Sequence, residues 1–258
     1  MAPLKRDFLP HDLKPLLSAS GFDGAIAVQA QQSVEETIWL LQLARQNHFI
    51  KGVVGWVDLC SSKVGDQLQQ LAADKLLVGV RHVVQAEPDD EFMLRQDFRR
   101  GIAQLREFGL AYDLLLYPRH LPVATRLARE FPEQIFVLDH IAKPAIAAKL
   151  VEPWERDIRE LAKCTNVACK LSGMVTEARW KQWVPNDFRA CLDVVFEAFG
   201  AGRLMVGSDW PVCTLSADYA ATIGIVRDYI GHLSPAERYG ILGGNCARTY
   251  GIAQALQQ

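Results

Sequence analysis

Residues 203–211 read Arg-Leu-Met-Val-Gly-Ser-Asp-Trp-Pro. The segment Arg203–Ser208 is a short apolar run that ends on a carboxylate, Asp209, beside the indole of Trp210. A run that is apolar on both parities suits a strand buried on both faces, as in a parallel sheet, and not a half-wetted antiparallel one. An Asp after a strand commonly caps the next helix. Here Pro211 and the residues up to Ser216 postpone the next helical pattern, so Asp209 reads as a carboxylate held at a strand end.

Six similar runs precede this one: Gly24–Ala30, Ile50–Asp58, Leu77–Val84, Leu110–Leu116, Gln134–Asp139 and Val167–Leu171. The segments between them carry helix signals. Ser33 and Glu36 form a capping box, and Ser234 and Glu237 repeat it with Pro235 at the first helical position. Pro153 is read in the same place before Trp154, Ile158 and Leu161. The Gly240–Asn245 stretch reads as a kink or close packing contact within a helical region. Strand and helix in alternation mean parallel pairing with right-handed crossovers. No linker or charge block interrupts the 258 residues, so residues 1–258 read as one α/β domain, a (β/α)8 TIM barrel.

The count is one short. The chain opens on a helix, from Pro10 to about Ser20, and yields about seven strands where a closed barrel has eight, so either one strand escapes this reading or the first β-strand is missing. An open doubly wound sheet is the alternative.

Composition narrows the partners. A net charge of −2 without a basic run excludes an electrostatic footprint for nucleic acid or anionic lipid. The opening segment MAPLKRDFLPHDLKPLL is broken by charges and prolines, and no stretch approaches the ~18 apolar residues of a membrane span. The six cysteines lack a CxxC pair and read as reduced thiols, so a cytoplasmic protein is expected.

In either architecture chemistry collects at the carboxyl ends of the strands. Asp209 there is a candidate general base. His140, in Asp139-His140-Ile-Ala-Lys143-Pro144, can polarise a carbonyl, move a proton or ligate a metal. Arg81 and His82 close a strand, and alternation sends one inward and the other outward. Lys170 and Asp113 are charges inside apolar strands and must pair or be solvated. His120, on the Tyr117–His120 loop, lies at the mouth. GxSxG, GxGxxG, GxxxxGK[ST] and HExxH are all absent, which removes the serine-hydrolase, nucleotide and zincin readings.

The segments Val137–Pro144, Lys170–Met174, Met205–Pro211 and Gly244–Gly251 resemble the amidohydrolase-related lactonases, a branch holding fuconolactonase-like and 2-pyrone-4,6-dicarboxylate lactonases. Gly79–His82 and Tyr112–Leu115 are similar to the same branch, and the likeness runs from about Phe8 onward. It implies an amidohydrolase-type barrel that opens a sugar-acid lactone. Asp209 would activate the water, and His140 would polarise the carbonyl. Arg81, His82, Lys170, Trp210 and His120 would grip the substrate. The near alternative is a dicarboxylate lactone, for which Arg81 and Arg119 are a thin supply of partners. The branch normally opens on a strand with a His-x-His motif, which this sequence lacks; it is the same strand the count misses. Either an upstream segment has been lost or the barrel is a shortened one that binds a ligand or partner without turnover. With no histidine in Leu110–Leu116, a binuclear centre is not expected. One divalent metal, zinc or manganese, on His140 and Asp209, or no metal at all, fits better. The expected partner is a small lactone, with no nucleic acid and no membrane, and nothing in the sequence sets the oligomeric state.

Overall fold

The structure, a computed structural model, describes residues 4–252. All seven runs form strands: β1 (Ala25–Val28), β2 (Ile50–Gly55), β3 (Leu77–His82), β4 (Ala111–Leu114), β5 (Phe136–Leu138), β6 (Val167–Leu171) and β7 (Leu204–Val206). They pair in parallel in strict chain order from β1 to β7. A doubly wound sheet reverses its order at a switch point. Sequential order without reversal is the barrel's arrangement, with one strand fewer than the eight of a closed barrel among the described residues.

Alternation along each strand separates two apolar layers. Val53, Leu77, Tyr112, Phe136, Leu138, Cys169 and Leu204 point outward into a continuous core shared with the helices. Val54, Val78, Ala111, Val137, Ala168 and Met205 point inward, where Tyr250 joins them from the C-terminal region. The helices are α1 (Pro10–Ala19), α2 (Val34–Gln46), α3 (Val64–Leu71), α4 (Gln96–Leu105), α5 (Leu121–Glu130), α6 (Trp154–Ala162), α7 (Met174–Glu177), α8 (Arg189–Phe199), α9 (Tyr219–Tyr229), α10 (Pro235–Tyr239) and α11 (Asn245–Thr249). The end strands β1 and β7 are spanned on the outside by a small cluster of Leu17, Tyr219 and Ile223, with Ala25 and Val206 packed on it. Every residue of β1 is half-buried, as befits a strand with one strand neighbour.

Local signals hold with adjustments. Gly21 takes a left-handed φ of 65° after α1, the conformation a helix end asks of glycine. The Ser234–Glu237 box is complete, whereas at Ser33 only half of one forms: Ser33 accepts from Glu36 N, and the Glu36 carboxylate turns to the amides of Ala30 and Gln31. Pro153 is the residue before α6, not its first turn. The Gly240–Gly244 stretch is a single π-helical turn with a break at Gly243. All six cysteines are unbridged, and no helix among the described residues is long and apolar enough to cross a membrane.

Candidate active site

One irregularity decides what the third strand offers. Between β2 and β3 the register slips, Val53 pairing with Leu77 but Val54 with Gly79, so β3 takes two steps where β2 takes one. Such a bulge re-aims the side chains beyond it. Arg81 therefore turns into the barrel and His82 out of it. Arg81 places one guanidinium nitrogen 2.8 Å from Asp139 Oδ2 and gives another to the carbonyl oxygen of Gln29, just past β1. Gln29, fully buried, returns a bond from its amide to the Arg81 carbonyl at 3.1 Å.

Lys170, on β6, continues this polar layer. Its ammonium lies 2.5 Å from Asp113 on β4 and 2.7 Å from Asp139. The Tyr250 hydroxyl reaches both oxygens of Asp113, at 2.9 and 3.0 Å. Two cations thus face two carboxylates inside the barrel, which is how charges inside apolar strands become tolerable. Burial raises the Asp113 carboxyl above its ordinary range against the pull of Lys170. Burial would raise Asp139 too, but Lys170 and Arg81 outweigh it and hold Asp139 well below the usual carboxylate range.

Above this layer stand the catalytic candidates. After β5 the chain runs through four successive non-glycine residues in the left-handed region, from His140 (φ 55°) and Ile141 (φ 46°) to Ala142 (φ 59°) and Lys143 (φ 52°). His140 is almost fully buried, and its Nδ1 lies 2.8 Å from Ser172 Oγ, just past β6. Its Nε2 faces Asp209 Oδ1 at 3.6 Å. Asp209 itself adopts φ 53°, a conformation Asp tolerates better than most residues. Burial holds the imidazole below its ordinary pKa, against the opposing charges of Asp209 and Asp139, which favours the neutral ring. Glu177, at the end of α7, is also drawn in: burial raises its carboxyl, Lys143 opposes the shift, and Asp209 adds to it.

Gly173 completes the pocket around the ring. Its φ is 67°, and a Cβ there would stand 2.7 Å from the Cβ and Cγ of His140. Gly173→Ala is therefore expected to push the imidazole off Ser172 and Asp209. A misplacement of about 1 Å costs roughly 10²-fold in turnover, and kcat measured beside a thermal melt will separate that loss from unfolding.

Three residues expected at the substrate have their rings engaged by protein partners. His82 stacks on Phe92 at 4.8 Å, faces Glu87 Oε1 through Nε2 at 2.7 Å, and accepts from the Trp56 indole. Its outward direction follows from the bulge. His120 is fully buried, accepting from the Tyr117 amide and facing Asp90 at 3.1 Å, so both ring nitrogens lock the loop after β4. Trp210 meets Phe8 edge to face at 5.3 Å and packs on the α1–α9 cluster, which uses its ring for holding the N-terminal segment. Reading the sequence missed Ser172, Gln29 and Tyr250. Ser172 carries a signal in hindsight, as a hydroxyl directly after a buried strand that ends near the mouth. Gln29 has none.

The donors for a metal are few. His140 Nε2 and Asp209 Oδ1 are within reach of one ion, but no group of three or more His, Cys, Asp or Glu side chains comes together among the described residues. Zinc takes four ligands, of which catalytic sites supply three from the protein. The residues present do not fit such a centre by themselves.

The chain is 40% identical over 265 residues to an L-fucono-1,5-lactonase of Burkholderia multivorans, covering 98% of this chain and 89% of that protein. It is 38% identical to an L-fucono-1,5-lactonase of Burkholderia ambifaria, covering 96% of this chain and 86% of the relative. A crystal structure of an amidohydrolase from Burkholderia multivorans with bound zinc superposes with a TM-score of 0.92 at 40% identity, covering 98% and 92% of the two chains. The amidohydrolase family model matches residues 2–252, and with that match the chain belongs to the amidohydrolase family.

Proposed function

We propose that this protein opens a neutral sugar-acid lactone of the L-fucono-1,5-lactone type by attack of an Asp209-activated water. The observation that carries the reading is the His140–Asp209 pair, set 3.6 Å apart at the ends of β5 and β7, with the imidazole oriented from behind by Ser172. Relatives named L-fucono-1,5-lactonase at 40% and 38% identity support it.

In this reading the Ser172 hydroxyl, 2.8 Å from Nδ1, donates to it, and the ring proton of neutral His140 sits on Nε2, on the side of Asp209 and the substrate. Asp209 takes a proton from water while the water oxygen bonds to the lactone carbonyl carbon. The Nε2–H of His140 steadies the oxyanion that forms. The intermediate then breaks its ring C–O bond, and the proton held by Asp209 passes to the departing ring oxygen. The product is the open hydroxy acid, with Asp209 ionised again.

The charge balance favours a neutral ring over a dicarboxylate. Arg81 and Lys170 are committed to Asp139 and Asp113, and Arg119 to Asp90. Lys143, set near Glu177, is a cation at the strand ends not held in such an ion pair. The test is hydrolysis of L-fucono-1,5-lactone, other aldonolactones and 2-pyrone-4,6-dicarboxylate, followed with a pH indicator, with and without Zn²⁺ or Mn²⁺. The fuconolactone is expected to exceed the dicarboxylate in kcat/KM by about 10²-fold or more, because buried polar groups built for one substrate reject another steeply. No turnover of any lactone by folded protein would discard this reading and favour a barrel that only binds.

A further inference from the structure

The four-residue left-handed run after β5 is the longest succession of positive-φ non-glycine residues among the described residues, and L-residues hold that conformation only where their surroundings impose it. Within the run, Lys143 N donates to the His140 carbonyl at 2.8 Å, a single closing bond. Ile141 and Ala142 are fully buried, so a carbonyl there has no water to turn to. Another helix supplies the partner. Trp154, the first residue of α6 and only 2% exposed, donates its indole Nε1–H to the Ile141 carbonyl at 2.7 Å.

We propose that Trp154 is a positioning residue for His140: its indole N–H holds the turn after β5 left-handed and so keeps the imidazole between Ser172 and Asp209. The inference rests on the assignment of His140 to the reaction. Without the indole donor, the buried Ile141 carbonyl has no partner, and the turn gains by relaxing toward right-handed φ values. His140 heads the run, so its Cα–Cβ bond swings first. The ring then loses the 2.8 Å contact with Ser172 and slides against Gly173, which has no room to give.

The test is a cycle of variants built on glycine's freedom at positive φ. Trp154→Phe keeps an aromatic ring but removes the donor. Replacing the indole by benzothiophene removes only the N–H and keeps the shape, and it serves if Trp154→Phe fails to fold. Either is expected to lower kcat on the lactone about 10- to 100-fold with KM little changed, the signature of a displaced catalytic group. Adding Ala142→Gly, which relieves the left-handed strain at φ 59°, is expected to restore about tenfold of the loss. Nitrogen-15 NMR of the histidine side chains, read without substrate, is expected to show the His140 ring leaving its single tautomer in the donor-less variant and regaining it in the double variant.

A role in core packing alone would leave the His140 signals at their wild-type positions and make the two substitutions additive; either result overturns the proposal. His140→Asn separates this inference from the functional reading. If that variant keeps turnover, the assignment of His140 to the reaction fails, while the NMR comparison still decides whether Trp154 places the ring.

Discussion

Asp209→Asn is expected to remove nearly all lactone hydrolysis, lowering kcat/KM by about 10²- to 10⁴-fold, the usual contribution of a general base. The substitution isolates the proton-accepting step. Asn is close to Asp in shape and tolerates the left-handed backbone that position 209 adopts at φ 53°. Its carbonyl oxygen can still face His140 Nε2 across the present 3.6 Å. What it lacks is a lone pair basic enough to take a proton from water. The melting midpoint should therefore move little while turnover collapses, and steady-state kinetics with a melt on the same preparation reads both. Retention of most of the activity would mean that the base lies elsewhere, with Glu177 the next carboxyl to test because it sits within the electrostatic reach of Asp209.

Lys170→Met is the change expected to cost the fold most. It removes the ammonium that lies within 2.7 Å of both Asp113 and Asp139, each at most 1% exposed, and leaves Arg81 to face two carboxylates. Breaking a buried ionic network by removing one partner costs about 3–5 kcal/mol, most of it the penalty of an uncompensated buried charge. The pH dependence supplies a second check. In the native protein Asp139 is held below its ordinary value, so its contribution is present above the unfolded pKa and lost as pH falls through the folded one. In the variant the opposite sign governs. Asp113, already raised by burial, loses the cation that restrained it, and a raised carboxyl favours the fold below its unfolded pKa and loses that advantage as pH rises through the folded one. Urea melts at about pH 5.5 and pH 8 should show Lys170→Met less destabilised at the lower pH. Equal loss at both would mean that Asp113 does not carry the unpaired charge.

Seven strand positions, the helices between them and the placement of Asp209 and His140 at strand ends were legible because they depend on short-range properties: apolar runs, turn-forming residues, helix caps. The strands came out shorter than their apolar runs, β5 keeping only Phe136–Leu138 of Gln134–Asp139. The reason is local to the site, since Asp139 already turns toward the left-handed segment that carries His140. Substrate contacts were less legible. His82, His120 and Trp210 share the mouth-lining sequence position expected of ligand-gripping residues, yet each has its ring engaged by protein partners.

From sequence alone followed the α/β class, the positions of seven strands and the placement of Asp209 and His140 after two of them, because a strand's direction in a parallel sheet fixes which of its ends bears the chemistry. The sequential order that makes the sheet a barrel rather than a doubly wound one came from the structure. Only the tertiary structure decided that Arg81 rather than His82 points inward, through a one-residue slip between β2 and β3 that leaves no local trace. Only it joined Lys170 to Asp113, 57 residues away, and Asp113 to Tyr250, 137 residues away. Pairings at that separation are set by which strands become neighbours when the sheet curls, and by the need of buried charges for partners, neither of which any short window of sequence contains.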